Sequence, residues 1–242
     1  MIIKDVDVNY IDYGSKENPM VFLHGWGQNI EMMKMLGDSF SLNHRIIILD
    51  LPGFGKSSEP KYVWTLYDYV DFLKEFLSKL DVSNPILVGH SFGGKIALLY
   101  SSMYEVSKLV CLASPFKKMI KKDSLKTKIL KSAKKIIKSE KLEEFAKKRF
   151  GSTDYKNATP MMREILVLHV NLDISDMVTR IKCPTILIWG TLDTAVDVSL
   201  GSELESKISD AALITYEGCS HYAYLERLGQ TVNIIKSFVG DE

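Results

Sequence analysis

The sequence predicts an α/β fold in which a mostly parallel sheet is flanked by helices. Short apolar runs alternate with amphipathic stretches along most of the chain, which is the pattern of strands joined by crossover helices. Several runs, such as residues 20–23 and 45–49, are apolar at nearly every position, as expected for strands buried on both faces. The alternation stops between residues 115 and 182, where no strand pattern occurs, and this segment predicts an all-helical insertion.

The order of the elements supports a single sheet. Residues 2–13 alternate loosely and predict one or two antiparallel edge strands before a turn. Residues 65–80 repeat apolar side chains at spacings of three and four, which marks one face of a helix. The other predicted strands of the core are residues 20–23, 45–49, 85–88, 108–113, 183–189 and 211–216, and its other predicted helices are residues 31–40, 95–104, 198–208 and 224–239.

The segment that follows Ser114 and Pro115 is strongly basic. Residues 117–149 contain fourteen Lys or Arg against four Asp or Glu, with apolar residues at helical spacing between them. This pattern predicts at least two amphipathic helices, and a further helix is expected over residues 161–171. We therefore interpret residues 115–182 as a helical cap inserted into one core, which is formed by residues 1–114 and 183–242.

The composition is that of an ordinary globular chain and excludes several functions. Hydrophobic residues make up 46% and charged residues 25% of the 242 residues, and the net charge of +1 gives no overall basis for nucleic-acid binding. Neither a membrane span nor a signal peptide is predicted. The three cysteines are scattered, which predicts no zinc site and no disulfide framework and suggests a reducing, cytoplasmic location.

The residues from Gly89 to Gly93 read Gly-x-Ser-x-Gly and lie between a predicted strand and a predicted helix. A strand that turns abruptly into a helix leaves its corner residue exposed and strained. Glycine on either side lets the backbone close this corner without clashes of Cβ atoms. The hydroxyl of Ser91 would then stand clear of the sheet in front of a helix N-terminus, which makes it a candidate nucleophile.

Two further predicted strands end in groups that could activate this serine. In an open parallel sheet, functional groups gather at the carboxyl ends of the strands. His221, after the last strand, can take the proton of Ser91, and Asp193 can hold the imidazole and stabilise its cation. Asp197 is an alternative acid, but Asp193 lies closer to the strand end.

An acyl transfer at Ser91 also needs backbone N–H donors for the developing oxyanion. Phe92, at the start of the helix after the predicted turn, supplies one. Trp26, in the loop after the strand of residues 20–23, supplies the other.

With these motifs in their order, the chain resembles the α/β-hydrolase superfamily, in its group of small bacterial serine hydrolases with a helical cap. The resemblance implies Ser91 as nucleophile, His221 as base, Asp193 as acid and the amides of Trp26 and Phe92 as oxyanion hole, with no metal or organic cofactor. It also implies a structural turn at Asp50. The chain departs from the family pattern in its short N-terminal segment, which predicts a truncated edge strand. The matching pieces are His24-Gly25-Trp26-Gly27, Asp50-Leu51-Pro52-Gly53-Phe54-Gly55-Lys56-Ser57, Gly89-His90-Ser91-Phe92-Gly93-Gly94, Gly190-Thr191-Leu192-Asp193 and Gly218-Cys219-Ser220-His221.

The remaining histidines are interpreted as structural. We expect His24 to shape its loop through hydrogen bonds and His90 to pack under the turn at Ser91. His44 is expected at the surface, and His169, on a helix of the cap, is expected in an exposed or core position rather than in the pocket. Cys219 is interpreted as a small buried filler.

The sequence therefore predicts a serine hydrolase that cleaves small to medium acyl esters of small molecules through an acyl-enzyme. One alternative is the same triad acting on another bond, as in a C–C hydrolase, a thioesterase or an aminopeptidase. Another is a ligand-binding receptor that has kept the fold. Haloalkane dehalogenase and epoxide hydrolase activities are disfavoured, because relatives with those activities carry Asp at the position of Ser91.

The basic cap raises two further hypotheses, an anionic substrate or contact with an acidic membrane surface. A solvated, lysine-rich face is the simpler interpretation and is the one we favour. Neither a nucleic acid nor a membrane is predicted as a partner.

Overall fold

The computed structural model describes residues 1–15, 18–118 and 158–241, and it confirms the predicted α/β fold. A seven-stranded sheet is flanked by helices on both faces. Two short strands, β1 (Ile2–Ile3) and β2 (Val6–Asp7), precede this sheet. The seven strands of the sheet are β3 (Tyr10–Gly14), β4 (Met20–Leu23), β5 (Arg45–Leu49), β6 (Ile86–His90), β7 (Lys108–Leu112), β8 (Thr185–Gly190) and β9 (Ala211–Tyr216).

The helices of the described segments follow the predicted order. A 3-10 turn, Asp38–Phe40, extends the first of them, so that the helix expected over residues 31–40 changes type at its end. In chain order they are α1 (Ile30–Gly37), α2 (Leu66–Lys79), α3 (Ser91–Ser101), α4 (Pro160–Asn171), α5 (Ser175–Val178), α6 (Ser199–Lys207), α7 (Ala223–Glu226) and α8 (Leu228–Val239).

The sheet has the strand order β3-β5-β4-β6-β7-β8-β9. Only β3 is antiparallel, paired with β5 from Tyr10 opposite Leu49 to Gly14 opposite Arg45, which confirms the predicted antiparallel edge. The other neighbours in the sheet are parallel, so their carboxyl ends meet at one edge. β1 and β2 pair only with each other, as a separate two-stranded sheet.

Two apolar layers, one on each face of the sheet, form the core. Alternate residues of one strand enter different layers, because successive side chains point to opposite faces. In β4, Val21 and Leu23 belong to one layer, and Met20 and Phe22 belong to the other. This placement explains why β4 is apolar at every position and fully buried.

The predicted C-terminal helix is in fact two helices. The backbone leaves the helical region at Arg227, between α7 and α8. The side chain of Glu226, at the end of α7, accepts hydrogen bonds from the backbone N–H and the hydroxyl of Ser220. These bonds favour a short separate helix that is tied to the loop after β9.

The described part of the insertion contains α4, as expected, and the shorter α5. The amphipathic helices predicted from the basic pattern fall mostly on residues 119–157, which lie outside the described residues. Hydrogen bonds and apolar contacts tie α4 to the core. The ammonium group of Lys95 in α3 donates to the carbonyls of His169 and Leu172 at 2.6 Å each, and Met162 packs against Gly53 in the loop after β5.

One histidine assignment is corrected by the fold. His44 was expected at the surface but is buried, with 3% of its surface exposed. Its Nδ1 lies 2.9 Å from the carbonyl oxygen of Asn18, and its Nε2 lies 3.0 Å from a carboxylate oxygen of Asp241. The partner at residue 241 is brought in by the tertiary fold, so the local sequence around His44 gave no indication of burial.

Candidate active site

Ser91 occupies a sharp turn between β6 and α3, as the glycine spacing predicts. It is a non-glycine residue with a φ of +50°, a left-handed conformation that carries strain. The turn closes tightly on both sides. A Cβ atom at Gly89 would lie 2.6 Å from the Cα of Gly94, and one at Gly93 would lie 2.3 Å from the carbonyl oxygen of Leu23. Glycine is therefore required at both positions because the neighbouring backbone leaves no room for a side chain.

The N-terminus of α3 lies directly behind Ser91. The residue that caps this helix, His90, makes no side-chain capping hydrogen bond. The amide of Phe92 belongs to the first turn, where N–H groups have no partner within the helix. The next amide, that of Gly93, donates to the carbonyl of His24 at 3.1 Å and so ties this turn to the loop after β4.

The loop after β4 carries Trp26, the second predicted oxyanion donor. His24 shapes this loop, as predicted: its Nδ1 lies 2.7 Å from the carbonyl oxygen of Gly25, and its Nε2 accepts the N–H of Leu51 at 2.9 Å. This pair of bonds assigns the proton to Nδ1 of a neutral imidazole, and burial lowers the pKa of His24 to about 4. Gln28 also holds the loop, because its Oε1 accepts the N–H of Gly25 at 2.9 Å.

The rings of Trp26 and Phe92 contact each other edge to face, with centroids 5.3 Å apart. Phe54, from the loop after β5, packs against Trp26 at 4.8 Å. The loop that contains Phe54 is held by Asp50, whose carboxylate accepts the N–H groups of Ile30 and Lys56 at 2.8 Å each. Asp50 therefore has the structural role in a turn near the site that the resemblance implied.

Asp193 and His221 meet at the carboxyl edge of the sheet. Nδ1 of His221 lies 2.7 Å from Oδ2 of Asp193, whose side chain is fully buried. The other oxygen, Oδ1, accepts the N–H groups of Ala195 and Val196 at 2.8 Å each. Asp197, the alternative acid, instead accepts the N–H of Ser199 at the start of α6.

The hydrogen bond to Asp193 sets the tautomer of His221. A carboxylate accepts the proton on Nδ1, which leaves Nε2 as the basic nitrogen of the neutral ring. The loops that carry the two residues are joined by backbone bonds, from Thr191 to the carbonyl of Tyr216 at 3.0 Å and from Leu192 to the carbonyl of Cys219 at 2.9 Å. Cys219 is buried in this contact, as predicted.

His90 lies under the turn, where the sequence analysis placed it. The ring is fully buried, its centroid is 4.8 Å from that of His221, and its Nε2 lies 3.1 Å from the carbonyl oxygen of His221. Burial, together with the nearby imidazole of His221, keeps the pKa of His90 well below its usual value. A neutral His90 therefore supports the backbone of His221 without adding a charge beside it.

Among the described residues, no hydrogen bond joins the hydroxyl of Ser91 to the imidazole of His221. Bonds between a nucleophile and its base are often long or poorly aligned in unliganded sites and tighten when substrate binds. The structure thus places the predicted acid and base in direct contact, and places the predicted nucleophile at the same edge of the sheet.

A small, partly open pocket lies beside Ser91. The helix α4 closes the pocket on one side. His169, on this helix, is buried, which agrees with the expected core position, but it also lines the pocket, which was not expected. Sequence reasoning also missed Lys95, which lines the pocket although the whole of α3 is buried. Its spacing of four residues from Ser91 places it on the same face of α3, a signal that was available in the sequence. The described lining residues are Trp26, Ser91, Phe92, Lys95, Pro115, Lys117, Leu166, His169 and Val170.

The described segments contain neither a cluster of metal ligands nor a helix suited to a membrane. In residues 1–15, 18–118 and 158–241, no group of three or more His, Cys, Asp or Glu side chains is arranged to hold a metal ion. Over the same segments, no helix has both the length and the apolar character needed to cross a bilayer.

Comparison with known proteins supports the family that the motifs indicate. A family model for the alpha/beta hydrolase fold matches residues 18–130. The mostly parallel sheet flanked by helices is the α/β-hydrolase fold, and the match supports membership of that superfamily. Relatives in this superfamily are named hydrolases and esterases, and the chain is an enzyme of the hydrolase class.

Several curated proteins are similar over nearly the whole chain. An AB hydrolase superfamily protein of Bacillus subtilis, YisY, is 26% identical over 91% of this chain and 91% of its own length. The pimeloyl-[acyl-carrier protein] methyl ester esterase of Aliivibrio fischeri is 22% identical over 91% of this chain and 93% of its own. The 2-hydroxy-6-oxononadienedioate/2-hydroxy-6-oxononatrienedioate hydrolase of Escherichia coli is 22% identical over 98% and 92%.

A solved structure shows the same fold. The bromoperoxidase of Bacillus anthracis superposes with a TM-score of 0.78 at 21% identity, covering 98% of this chain and 96% of its own. At this level of identity the similarity shows the fold alone, and the reaction depends on the residues of the site.

Proposed function

We propose that this hydrolase cleaves carboxylic esters of small molecules through an acyl-enzyme formed on Ser91. The observation that carries the proposal is the contact of 2.7 Å between His221 and the buried Asp193, at the edge of the sheet where Ser91 begins α3. A serine needs a base to become a nucleophile, and an imidazole needs an acceptor that fixes its tautomer. The order Ser, Asp, His along the chain is also the order expected on this fold.

In the first half of the reaction, Oγ of Ser91 attacks the ester carbonyl while Nε2 of His221 takes its proton. The carbonyl oxygen becomes an oxyanion, and the N–H groups of Trp26 and Phe92 donate to it. The positive end of α3 stabilises the same charge. The tetrahedral intermediate then collapses, the alcohol leaves with the proton from His221, and the acyl group remains on Ser91.

In the second half, water attacks the acyl carbonyl and His221 takes a proton from that water. The second tetrahedral intermediate releases the carboxylic acid and returns the proton to Ser91. The carboxylate of Asp193 stabilises the imidazolium formed in each half and remains ionised throughout. The route uses only side chains and backbone groups of the chain.

We further propose that residues 115–182 act as a cap over the site. α4 supplies Leu166, His169 and Val170 to the pocket wall, and the turn at Gly53 packs against the same helix. A pocket closed by an insertion excludes water and selects the acyl or alcohol group by shape. The unpaired cysteines fit the proposed cytoplasmic location.

The first test is turnover of p-nitrophenyl acetate and butyrate by the wild type and by Ser91→Ala. Loss of the nucleophile is expected to lower kcat by about 10⁴-fold or more, because the base then has no hydroxyl to activate. Binding of the substrate should persist in the variant. An unchanged rate in Ser91→Ala would refute the assignment of the nucleophile.

A second candidate function is cleavage of a carbon–carbon bond by the same residues. It is favoured by the similarity to the E. coli hydrolase of 2-hydroxy-6-oxononadienedioate, which extends over 98% of this chain. Incubation with that dienedioate and analysis of the products tests it. Cleavage of the dienedioate that depends on Ser91, together with slow ester turnover, would replace the ester proposal.

A further inference from the structure

A buried polar side chain on α4 faces the pocket without a partner. Of the buried side-chain nitrogens and oxygens among the described residues, four have no hydrogen-bond partner, and two of these are Nδ1 and Nε2 of His169. Only 4% of the surface of His169 is exposed. Buried polar groups are nearly always hydrogen-bonded, so a histidine with both nitrogens unsatisfied requires an explanation.

The surroundings of His169 are otherwise aromatic and cationic. Its ring contacts Phe92 and Tyr69 edge to face, with centroids 4.7 Å and 5.3 Å away. The ammonium group of Lys95 donates to the backbone carbonyl of His169 at 2.6 Å. Burial, and next the charge of Lys95, lower the pKa of His169 to about 3, so that the ring is neutral at physiological pH.

A neutral imidazole has one N–H donor and one acceptor nitrogen. A buried imidazole that makes neither of its two hydrogen bonds lowers the stability of the protein. This free energy is recovered when a ligand supplies the missing hydrogen bonds. The side chain lines the same pocket as Ser91, which places it within the space that a bound substrate fills. The charge of Lys117, at the same pocket, is paired with Glu203 at 2.6 Å.

We propose that His169 determines specificity by hydrogen bonding to an uncharged oxygen of the substrate, a ketone or a hydroxyl on the chain that occupies this pocket. This inference rests on the proposed function and narrows its substrates from plain alkyl esters to oxygen-bearing ones. Five of the other described lining residues are apolar and suit the carbon skeleton of such a chain: Trp26, Phe92, Pro115, Leu166 and Val170.

Two matched pairs of esters test this inference. On the acyl side, p-nitrophenyl 5-oxohexanoate is compared with the hexanoate. On the alcohol side, 3-oxobutyl acetate is compared with butyl acetate. We expect the wild type to favour the oxo ester of one pair by about 5- to 150-fold in kcat/KM, the range given by one buried hydrogen bond.

Three variants separate hydrogen bonding from pocket shape. His169→Leu removes the polar atoms, and the preference for the oxo ester should fall to near one. His169→Gln keeps a donor and an acceptor and should therefore retain part of the preference for the oxo ester. Val170→Ala changes the same wall without touching a polar atom, so it should alter both rates of a pair and preserve their ratio.

The stability of His169→Leu provides a readout that does not depend on turnover. If the imidazole is unsatisfied without substrate, its replacement by an apolar side chain should raise the melting temperature. A preference that survives in His169→Leu, or a wild type without preference in either pair, would overturn the inference and leave ester hydrolysis in place.

The opposite case, in which Ser91→Ala keeps full ester turnover, would remove the proposed function. The inference is then decided by calorimetry, which measures the affinity of Ser91→Ala for two pairs of ligands. One pair is 5-oxohexanamide and hexanamide, and the other is 4-hydroxy-2-butanone and 1-butanol. Tighter binding of the ketone of one pair, abolished by adding His169→Leu, supports it. Equal binding within both pairs contradicts it.

Discussion

At the scale of single residues, the site depends on which carboxylate holds His221. Asp193 has both oxygens engaged, Oδ2 with the imidazole at 2.7 Å and Oδ1 with two backbone N–H groups. The backbone bonds fix the carboxylate so that it cannot turn away from His221. Asp197, four residues later, instead accepts a hydrogen bond from the backbone N–H of Ser199, the first residue of α6.

The two aspartates form a matched pair of variants. Asp193→Asn keeps the shape but presents an amide that no longer selects the reactive tautomer, and kcat is expected to fall by about 10⁴-fold. Asp197→Asn removes the same charge a few residues away and should leave kcat near the wild-type value. Ester turnover by the two purified variants is compared under one set of conditions. An equal loss of kcat in the two variants would mean that the negative charge matters, rather than the contact of Asp193 with His221.

The residues of the proposed triad were predictable because each follows a strand in a parallel sheet. Ser91 is marked by its flanking glycines, and Asp193 and His221 lie shortly after β8 and β9. His169 was not predictable in the same way. It lies on a helix of the insertion, where helical spacing predicts a buried face but does not tell which face meets the pocket.

At the scale of elements, the decisive contact is the close approach of α3 to the strand edge. Gly93 lies against the carbonyl of Leu23, and its amide donates to the carbonyl of His24. This contact holds the N-terminus of α3 beside the loop that carries Trp26. Lys95 then joins the same helix to the C-terminal end of α4, so α3 connects the proposed nucleophile, the loop of the proposed oxyanion donor Trp26 and the proposed cap.

Gly93→Ala is expected to destabilise the protein because its Cβ would lie 2.3 Å from the backbone oxygen of Leu23. Overpacking of this kind costs about 1–3 kcal/mol in the free energy of unfolding. Gly229→Ala is the control, since a Cβ at Gly229, near the start of α8, meets nothing within 4 Å. That variant should be neutral or more stable by up to about 1 kcal/mol. Denaturant unfolding compares them, and equal stability of the two variants would exclude a tight turn.

Element types were predicted well, and element ends less well. The apolar runs and helical spacings located the sheet strands and α2 because both patterns are local. The division of the last helix at Arg227 depends on the bonds between Glu226 and Ser220, which form only when the loop after β9 is in place. Such tertiary contacts leave no periodic signal in the sequence.

At the scale of the whole molecule, several histidines are buried in the neutral form. Burial lowers the pKa of His24 to about 4 and that of His169 to about 3, and keeps that of His90 well below its usual value. In the unfolded chain all three titrate near 6.5. The unfolded state therefore binds more protons below pH 6.5, and the folded state loses stability as the pH falls from 6.5 towards 4.

His24 and His169 are each expected to lower the free energy of unfolding by about 1.4 kcal/mol per pH unit within that window. His169→Leu should therefore flatten the pH dependence between pH 6.5 and pH 4 by about this amount, while the slope above pH 7 stays unchanged. Denaturant unfolding of the wild type and the variant at pH 8, 7, 6 and 5 measures both slopes. Parallel curves for the two proteins would mean that His169 is not buried and neutral.

The central claim is that Ser91 is a nucleophile activated by His221, and covalent labelling tests it most directly. The protein is treated with a fluorophosphonate, digested, and analysed by mass spectrometry to locate the adduct. The account predicts one adduct on the peptide that contains Ser91, formed much more slowly in His221→Ala. An unlabelled Ser91, or labelling at the same rate without the imidazole, would contradict it.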